Sequence, residues 1–123
     1  MAMTVEELGK ARGWEAVCLP WPGAEARGLP VCCDRLGLAV THVPEGAVWM
    51  TLTGHLNTVA AATLNRAAAV VLCGGQHWPG EAVAAAREHG VNLFQSPLPS
   101  FEAACPPVLR AAEKTAGERE TTR

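Results

Sequence analysis

The hydrophobic pattern is most regular in the second half of the chain. Three apolar runs predict strands there, at residues 48–53, 69–73 and 91–95. Between these runs, apolar residues recur three and four positions apart, which predicts helices, and the second of these helical stretches is rich in alanine. Strands joined by single helices pair in parallel, because parallel neighbours cannot be connected by a tight hairpin.

The first half adds a helix that Thr4 caps and two strands, near residues 14–18 and 29–33. Asp34 is expected to cap a further helix that follows the second strand. The sequence therefore predicts an α/β fold: a three-layer single domain with a mostly parallel sheet of about five strands. We expect this domain to cover residues 1–115 and residues 116–123 to form a mobile polar tail.

Length and charge restrict the possible functions. At 123 residues the chain suits one domain, and a net charge of −2 with lysine at only Lys10 and Lys114 argues against nucleic-acid binding. No apolar run approaches the ~20 residues of a membrane span. Glu6 and Glu7 lie where a secretory signal would carry cations. We therefore expect a cytoplasmic protein with no nucleic-acid or membrane partner.

The chemistry-bearing residues do not match common catalytic motifs. Asp34 is the only aspartate, the chain has no tyrosine, and neither a GxxxxGK[ST] loop nor a GxSxG turn occurs. The four histidines lack metal-ligand spacing. We therefore predict no catalytic residues, no metal site and no cofactor, and a protein that is not an enzyme.

The chain has five cysteines, which is an odd number, and it is expected to be cytoplasmic, so we predict free thiols. The adjacent Cys32 and Cys33 lack metal-ligand spacing and are read as structural. Cys73 ends a predicted strand and could share an edge with His55 or His77. A thiol-dependent enzyme that uses Cys73 therefore stays open as an alternative.

Two loops follow neighbouring predicted strands, at residues 53–57 and 74–77. In a parallel sheet both would lie at the carboxyl edge, where helix N-termini expose N–H groups to ligands. A polar or anionic ligand is therefore expected there, with these candidate binding residues: Thr53, Gly54, His55, Asn57, Gly74, Gly75 and Gln76. In the competing interpretation, His55 and Asn57 only cap a helix and the two adjacent glycines only turn the chain.

The same segments resemble small stand-alone DRTGG-domain proteins. The strand, histidine-leucine-asparagine and helix of residues 48–61 are similar to that family's core, and residues 70–75 resemble the strand that ends in the Thr-Gly-Gly of its name. Further similarities follow in order along the chain, at residues 34–43, 45–49, 90–93 and 98–102. The chain departs from the family where the Asp-Arg pair is absent and where Cys73 replaces threonine.

This resemblance implies a regulatory or accessory domain. Such domains are attached to phosphotransacetylases and to pyrophosphatases with nucleotide-sensing modules, and stand-alone members are similar to the N-terminal region of HPr kinase. The leading hypothesis is a ligand-binding or regulatory module that senses a nucleotide or another phosphorylated metabolite. The first alternative is a structural accessory protein that docks on an iron-hydrogenase or ferredoxin-linked redox enzyme.

A homodimer is also predicted. Four tryptophans represent more large apolar surface than one small core is expected to hide, and symmetric dimers are the commonest oligomers.

Overall fold

The computed structural model of the protein describes residues 3–104. The strands are β1 (Glu15–Cys18), β2 (Val31–Cys32), β3 (Val48–Thr51), β4 (Ala69–Leu72) and β5 (Leu93–Gln95). The helices are α1 (Val5–Arg12), α2 (Leu36–His42), α3 (Leu56–Asn65), α4 (Gly80–His89) and α5 (Ser100–Ala104).

The strands form one sheet in the order β1-β5-β4-β3-β2. All neighbouring pairs are parallel except β1 and β5, which are antiparallel. The predicted α/β class with a mostly parallel five-stranded sheet is therefore confirmed. All five strands are shorter than their predicted runs, β2 and β3 most clearly. β2 has two residues, and β3 stops at Thr51 because the Asp34 carboxylate takes the next N–H, that of Leu52, at 2.7 Å.

Alternating side chains of the strands build two cores, one on each face of the sheet. On one face Trp49, Val70 and Leu93 pack with buried residues of α2, α3 and α4. On the other face Met50 and Phe94 pack with buried residues of α1 and α5. Helices therefore cover both faces of the sheet, which gives the three predicted layers.

Three of the four tryptophans are buried, contrary to the premise of the homodimer prediction. Each indole N–H donates to a backbone carbonyl: Trp14 to Ala103, Trp49 to Cys33 and Trp78 to Phe94. These bonds make burial of the indole possible because its polar group keeps a partner. Trp21 alone among the four is exposed.

One predicted helix cap is confirmed and one is wrong. Thr4 and Glu7 form a reciprocal capping box at the start of α1. Asp34 does not cap α2, since the N-cap residue is Arg35 and no side-chain cap bond is present there. The Asp34 carboxylate instead bonds to the end of β3. The predicted tail at 116–123 lies outside the described residues.

Candidate functional site

The structure brings the two predicted loops together at the carboxyl edge of the sheet. β3 and β4 are adjacent and in parallel register, so the chain leaves both strands at the same edge. The side chain of Gln76 joins the loops, because its Nε2 donates to the carbonyl of Leu52 at 2.6 Å and to that of Cys73 at 3.3 Å. Six of the seven candidate residues therefore lie in two adjoining loops, and Asn57 lies in the first turn of α3.

Several backbone N–H groups of these loops are already bonded within the protein. Gly74 N–H donates to Leu98 O at 2.8 Å, and Gly75 N–H donates to Ser96 O at 3.0 Å. Both glycines have φ angles near +80°, at +79° and +77°, which side chains rarely adopt. These glycines therefore have a structural reason to be present, and a ligand at this edge would be contacted mainly by side chains.

His55 is the N-cap of α3, and its ring is oriented by that role. Its Nδ1 accepts the N–H of Asn57 at 3.0 Å. Because Nδ1 is the acceptor, the proton of the neutral ring is on Nε2, which makes Nε2 a hydrogen-bond donor on an exposed side chain. Asn57 contributes only its backbone to the cap, and its side chain is exposed. The capping interpretation thus holds for the His55 side chain and not for that of Asn57.

Asp34 organises this edge, although sequence reasoning assigned it elsewhere. Its Oδ1 accepts the Leu52 N–H at 2.7 Å and the Thr51 hydroxyl at 3.2 Å, while its carbonyl accepts the Thr53 hydroxyl at 3.2 Å. Asp34 is the only aspartate in the sequence, and this was the signal that could have suggested a role in organising the edge of the sheet. The carboxylate places a negative charge close to Thr53, shortly before the N-terminus of α3, where the helix dipole is positive.

Cys73 does not have the properties of a catalytic thiol. The residue is fully buried, and its Sγ contacts the carbonyl oxygen of Val71 at 3.5 Å. Burial raises the pKa of the Cys73 thiol above its ordinary value. A nucleophilic cysteine requires access to substrate and a lowered pKa, so the hypothesis of a thiol-dependent enzyme that uses Cys73 loses its physical basis.

His77 lies in the second loop but bonds away from it. Its Nδ1 is 3.1 Å from Nε2 of Gln95, which in turn donates to Glu15 Oε2 at 3.1 Å. This chain of contacts ties His77 to β5 and β1, so the histidine does not join the Gly74 to Gln76 segment in a common set of ligands.

Residues 3–104 contain neither a cluster of metal ligands nor a membrane-spanning helix. Within that range, no three His, Cys, Asp or Glu side chains are grouped so that they could hold a metal ion. Among the helices described, none has the length and apolar character needed to cross a bilayer.

The comparisons with known proteins reveal a shared fold. No protein-family model matches the chain, and no curated protein matches its sequence. A solved structure that matches is the crystal structure of the CBS and DRTGG domains of the regulatory region of Clostridium perfringens pyrophosphatase, complexed with the activator diadenosine tetraphosphate. The TM-score is 0.68 at 15% sequence identity, and the match covers 81% of this chain and 44% of that one. The protein thus has an α/β fold found in a regulatory region that contains a DRTGG domain.

Proposed function

We propose that this protein is a regulatory module that binds a small anionic metabolite and does not itself catalyse a reaction. The observation that carries the proposal is the shared fold with a pyrophosphatase regulatory region, whose structure was obtained with the activator diadenosine tetraphosphate. A nucleotide or another phosphorylated metabolite is accordingly the ligand class to test first. Membership of the stand-alone DRTGG family and a likeness to HPr kinase belong to the same proposal.

The binding site we propose is the carboxyl edge: Thr53, His55, Asn57 and Gln76 provide polar side chains there, and Gly54, Gly74 and Gly75 shape the two loops. Two features of this edge support it. The N-termini of α3 and α4 follow these loops, and a helix N-terminus favours negative charge by about 0.3–1 kcal/mol. The exposed His55 and Asn57 side chains supply donors. Because Asp34 lies close by, a ligand of modest negative charge suits this edge better than a polyanion.

A thermal-shift screen tests the function. A ligand that binds only the native state stabilises it by mass action, by about 2.7 kcal/mol at a concentration one hundred times its Kd. We expect the melting temperature to rise with the concentration of at least one nucleotide or phosphorylated metabolite. A panel of these compounds that leaves the melting temperature unchanged at millimolar concentration would refute the proposal.

Two substitutions test the site. Asn57→Ala removes an exposed amide, so its free energy of unfolding should stay within about 0.5 kcal/mol of the wild type while affinity falls. His55→Ala also removes a helix cap and should lose about 0.5–2 kcal/mol of stability in addition to affinity. Unchanged affinity in the stable Asn57→Ala variant would assign these loops a purely structural role.

A homodimer remains part of the proposal. Because three of the four tryptophans are buried, the dimer is supported instead by exposed aliphatic side chains: Leu29 is 84% exposed and Leu64 is 74% exposed. Light scattering at micromolar concentration should give twice the chain mass of 12.9 kDa, and a value equal to that mass would contradict the dimer. The accessory role on a redox enzyme and the cytoplasmic location are predictions that rest on the sequence alone.

A further inference from the structure

A cavity of about 550 Å³ lies at the opposite, amino-terminal edge of the sheet. It is bounded by the chain just before β3, β4 and β5, by the C-terminal ends of α3 and α4, and by the connection between β1 and β2. Cavities that hold small ligands range from about 300 to 1,000 Å³. The cavity is therefore large enough for a metabolite, and its lining is built from several distant parts of the chain.

An exposed tryptophan at this cavity is held in place from the core. Trp21 lines the cavity and is 61% exposed. The Asn92 side chain, 1% exposed, accepts the backbone N–H of Trp21 at 2.9 Å and donates to its carbonyl at 2.8 Å. A buried amide thus fixes the backbone of a residue whose own indole is left in solvent. A large exposed ring on a fixed backbone is suited to stacking against a planar ligand.

Two arginines of the lining flank one glycine. Arg27 N–H donates to Gly46 O at 2.8 Å, and Gly46 N–H donates to Arg66 O at 2.9 Å. An added Cβ at Gly46 would lie 2.6 Å from Cδ of Arg27, so the arginine side chain runs close over the glycine. Gly46, with φ at +79°, therefore permits an arrangement in which both guanidinium-bearing residues border the same cavity.

Arg66 occupies a backbone conformation that normally favours glycine. It is the C-cap of α3 with φ at +55°, the one non-glycine residue with positive φ in the described chain. Glycine is the common residue at such a helix end, because a Cβ is strained there. The arginine side chain pairs with Glu45 at a single distance of 3.5 Å, which leaves further N–H groups of the guanidinium available.

The charges of the lining restrict the ligand. The lining carries Arg27, Arg66 and His89 on one side of the balance and Glu25 and Glu45 on the other, and the C-terminal dipoles of α3 and α4 add negative potential at this edge. This balance disfavours a polyphosphate. It suits a ligand with one phosphate for the arginines and hydroxyl groups that donate to a carboxylate, since guanidinium binds phosphate in bidentate fashion and carboxylates bind ribose hydroxyls.

We propose that this cavity binds a nucleoside monophosphate. The base stacks on Trp21, the phosphate lies between Arg27 and Arg66, and the ribose hydroxyls donate to the glutamates. The site is separate from the carboxyl-edge loops and does not depend on their binding any ligand.

Isothermal titration calorimetry with AMP as the probe tests the ligand class. AMP should bind more tightly than adenosine, which lacks the phosphate, and than ribose 5-phosphate, which lacks the base, by about tenfold in each case. ATP should bind more weakly than AMP because its extra charges meet Glu25, Glu45 and the helix ends. Absence of AMP binding, or equal affinity for AMP and inorganic phosphate, would overturn the proposal.

Substitutions locate the site. Arg66→Gly removes one guanidinium and relieves the backbone strain, so AMP affinity should fall about tenfold while the melting temperature stays equal or rises. Trp21→Ala should reduce affinity for AMP but not for ribose 5-phosphate. Arg35→Gln, which removes an exposed charge at the other edge, is the matched control and should bind AMP normally.

The same titrations separate this inference from the carboxyl-edge proposal. AMP binding that is lost in Asn57→Ala and kept in Arg66→Gly would place the nucleotide at the carboxyl edge and overturn the inference alone. AMP affinity that falls about tenfold in Arg66→Gly and is unchanged in Asn57→Ala supports the inference. If the wild-type protein does not bind AMP, while another metabolite gives a thermal shift that Asn57→Ala abolishes, the carboxyl-edge proposal stands and this inference is wrong.

Discussion

Asn92→Ala removes the side chain that ties the connection between β1 and β2 to the core. The Asn92 amide makes three hydrogen bonds, of which two go to the backbone of Trp21 and the third is a donation to the Ala68 carbonyl at 2.9 Å. Alanine can make none of these bonds. The change therefore leaves one N–H and two carbonyl groups without their partner in the folded protein.

The size of the effect follows from the burial of these groups. One side-chain hydrogen bond contributes about 1 kcal/mol net, and a buried polar group that loses its partner costs about 1–3 kcal/mol. The bond to the Ala68 carbonyl is buried, whereas the bonds to Trp21 are only partly buried and can be exchanged for water. We expect the free energy of unfolding to fall by about 2–4 kcal/mol.

Urea denaturation followed by circular dichroism measures this change, and the slope of the free energy against urea should stay constant. Two asparagines provide matched controls. Asn57→Ala alters an exposed side chain and should change stability by less than about 0.5 kcal/mol. Asn65→Ala removes a single bond, from Nδ2 to Ala39 O at 2.7 Å, and should cost about 1 kcal/mol.

The order of the three variants is the critical result. If Asn92→Ala loses no more stability than Asn65→Ala, then the bonds to Trp21 contribute nothing measurable and the argument for a fixed Trp21 backbone is wrong. A changed slope of the free energy against urea would instead show that the substitution alters the compactness of the unfolded or the folded state. The loss of stability could then not be assigned to the three lost hydrogen bonds.

Gly54, Glu7 and Cys73 each allow a further test. Gly54→Ala should cost about 1–3 kcal/mol of stability in urea denaturation, because its Cβ would lie 2.5 Å from Cδ2 of buried Leu72, whereas Gly37→Ala, with open space around it, should be neutral or stabilising. Hydrogen bonds from the helix cap, the backbone N–H first, hold the pKa of Glu7 below its ordinary value. Its contribution is present above the unfolded-state pKa and is lost as pH falls through the lowered folded-state pKa, so Glu7→Gln should lower the melting temperature at pH 7 and have no effect once the pH is below that folded-state pKa. Cys73 should resist iodoacetamide in the native protein at pH 7 and react in urea, as read by peptide mass spectrometry, and rapid native labelling would contradict its raised pKa.

The fold class and the order of most elements were predictable from local patterns in the sequence. Apolar runs alternating with helical spacing required parallel strands with crossover helices, and the structure has them at β3, β4 and β5. The cap at Thr4 was also predictable from the sequence, because the capping box joins residues only three positions apart, Thr4 and Glu7. Local patterns of this kind are encoded in contiguous sequence, so they can be read without knowledge of distant contacts.

The role of Asp34 and the cavity at the amino-terminal edge of the sheet depend on contacts between residues that are far apart in sequence. An aspartate just before a predicted helix is expected to cap that helix. The Asp34 carboxylate instead accepts hydrogen bonds from the Thr51 hydroxyl and the Leu52 N–H at the end of β3, which are 17 and 18 residues away in sequence. Asn92 and Trp21 meet across 71 residues. Hydrogen-bond partners that are distant in sequence are chosen by the packing of the whole sheet, and hydrophobic periodicity carries no information about that choice.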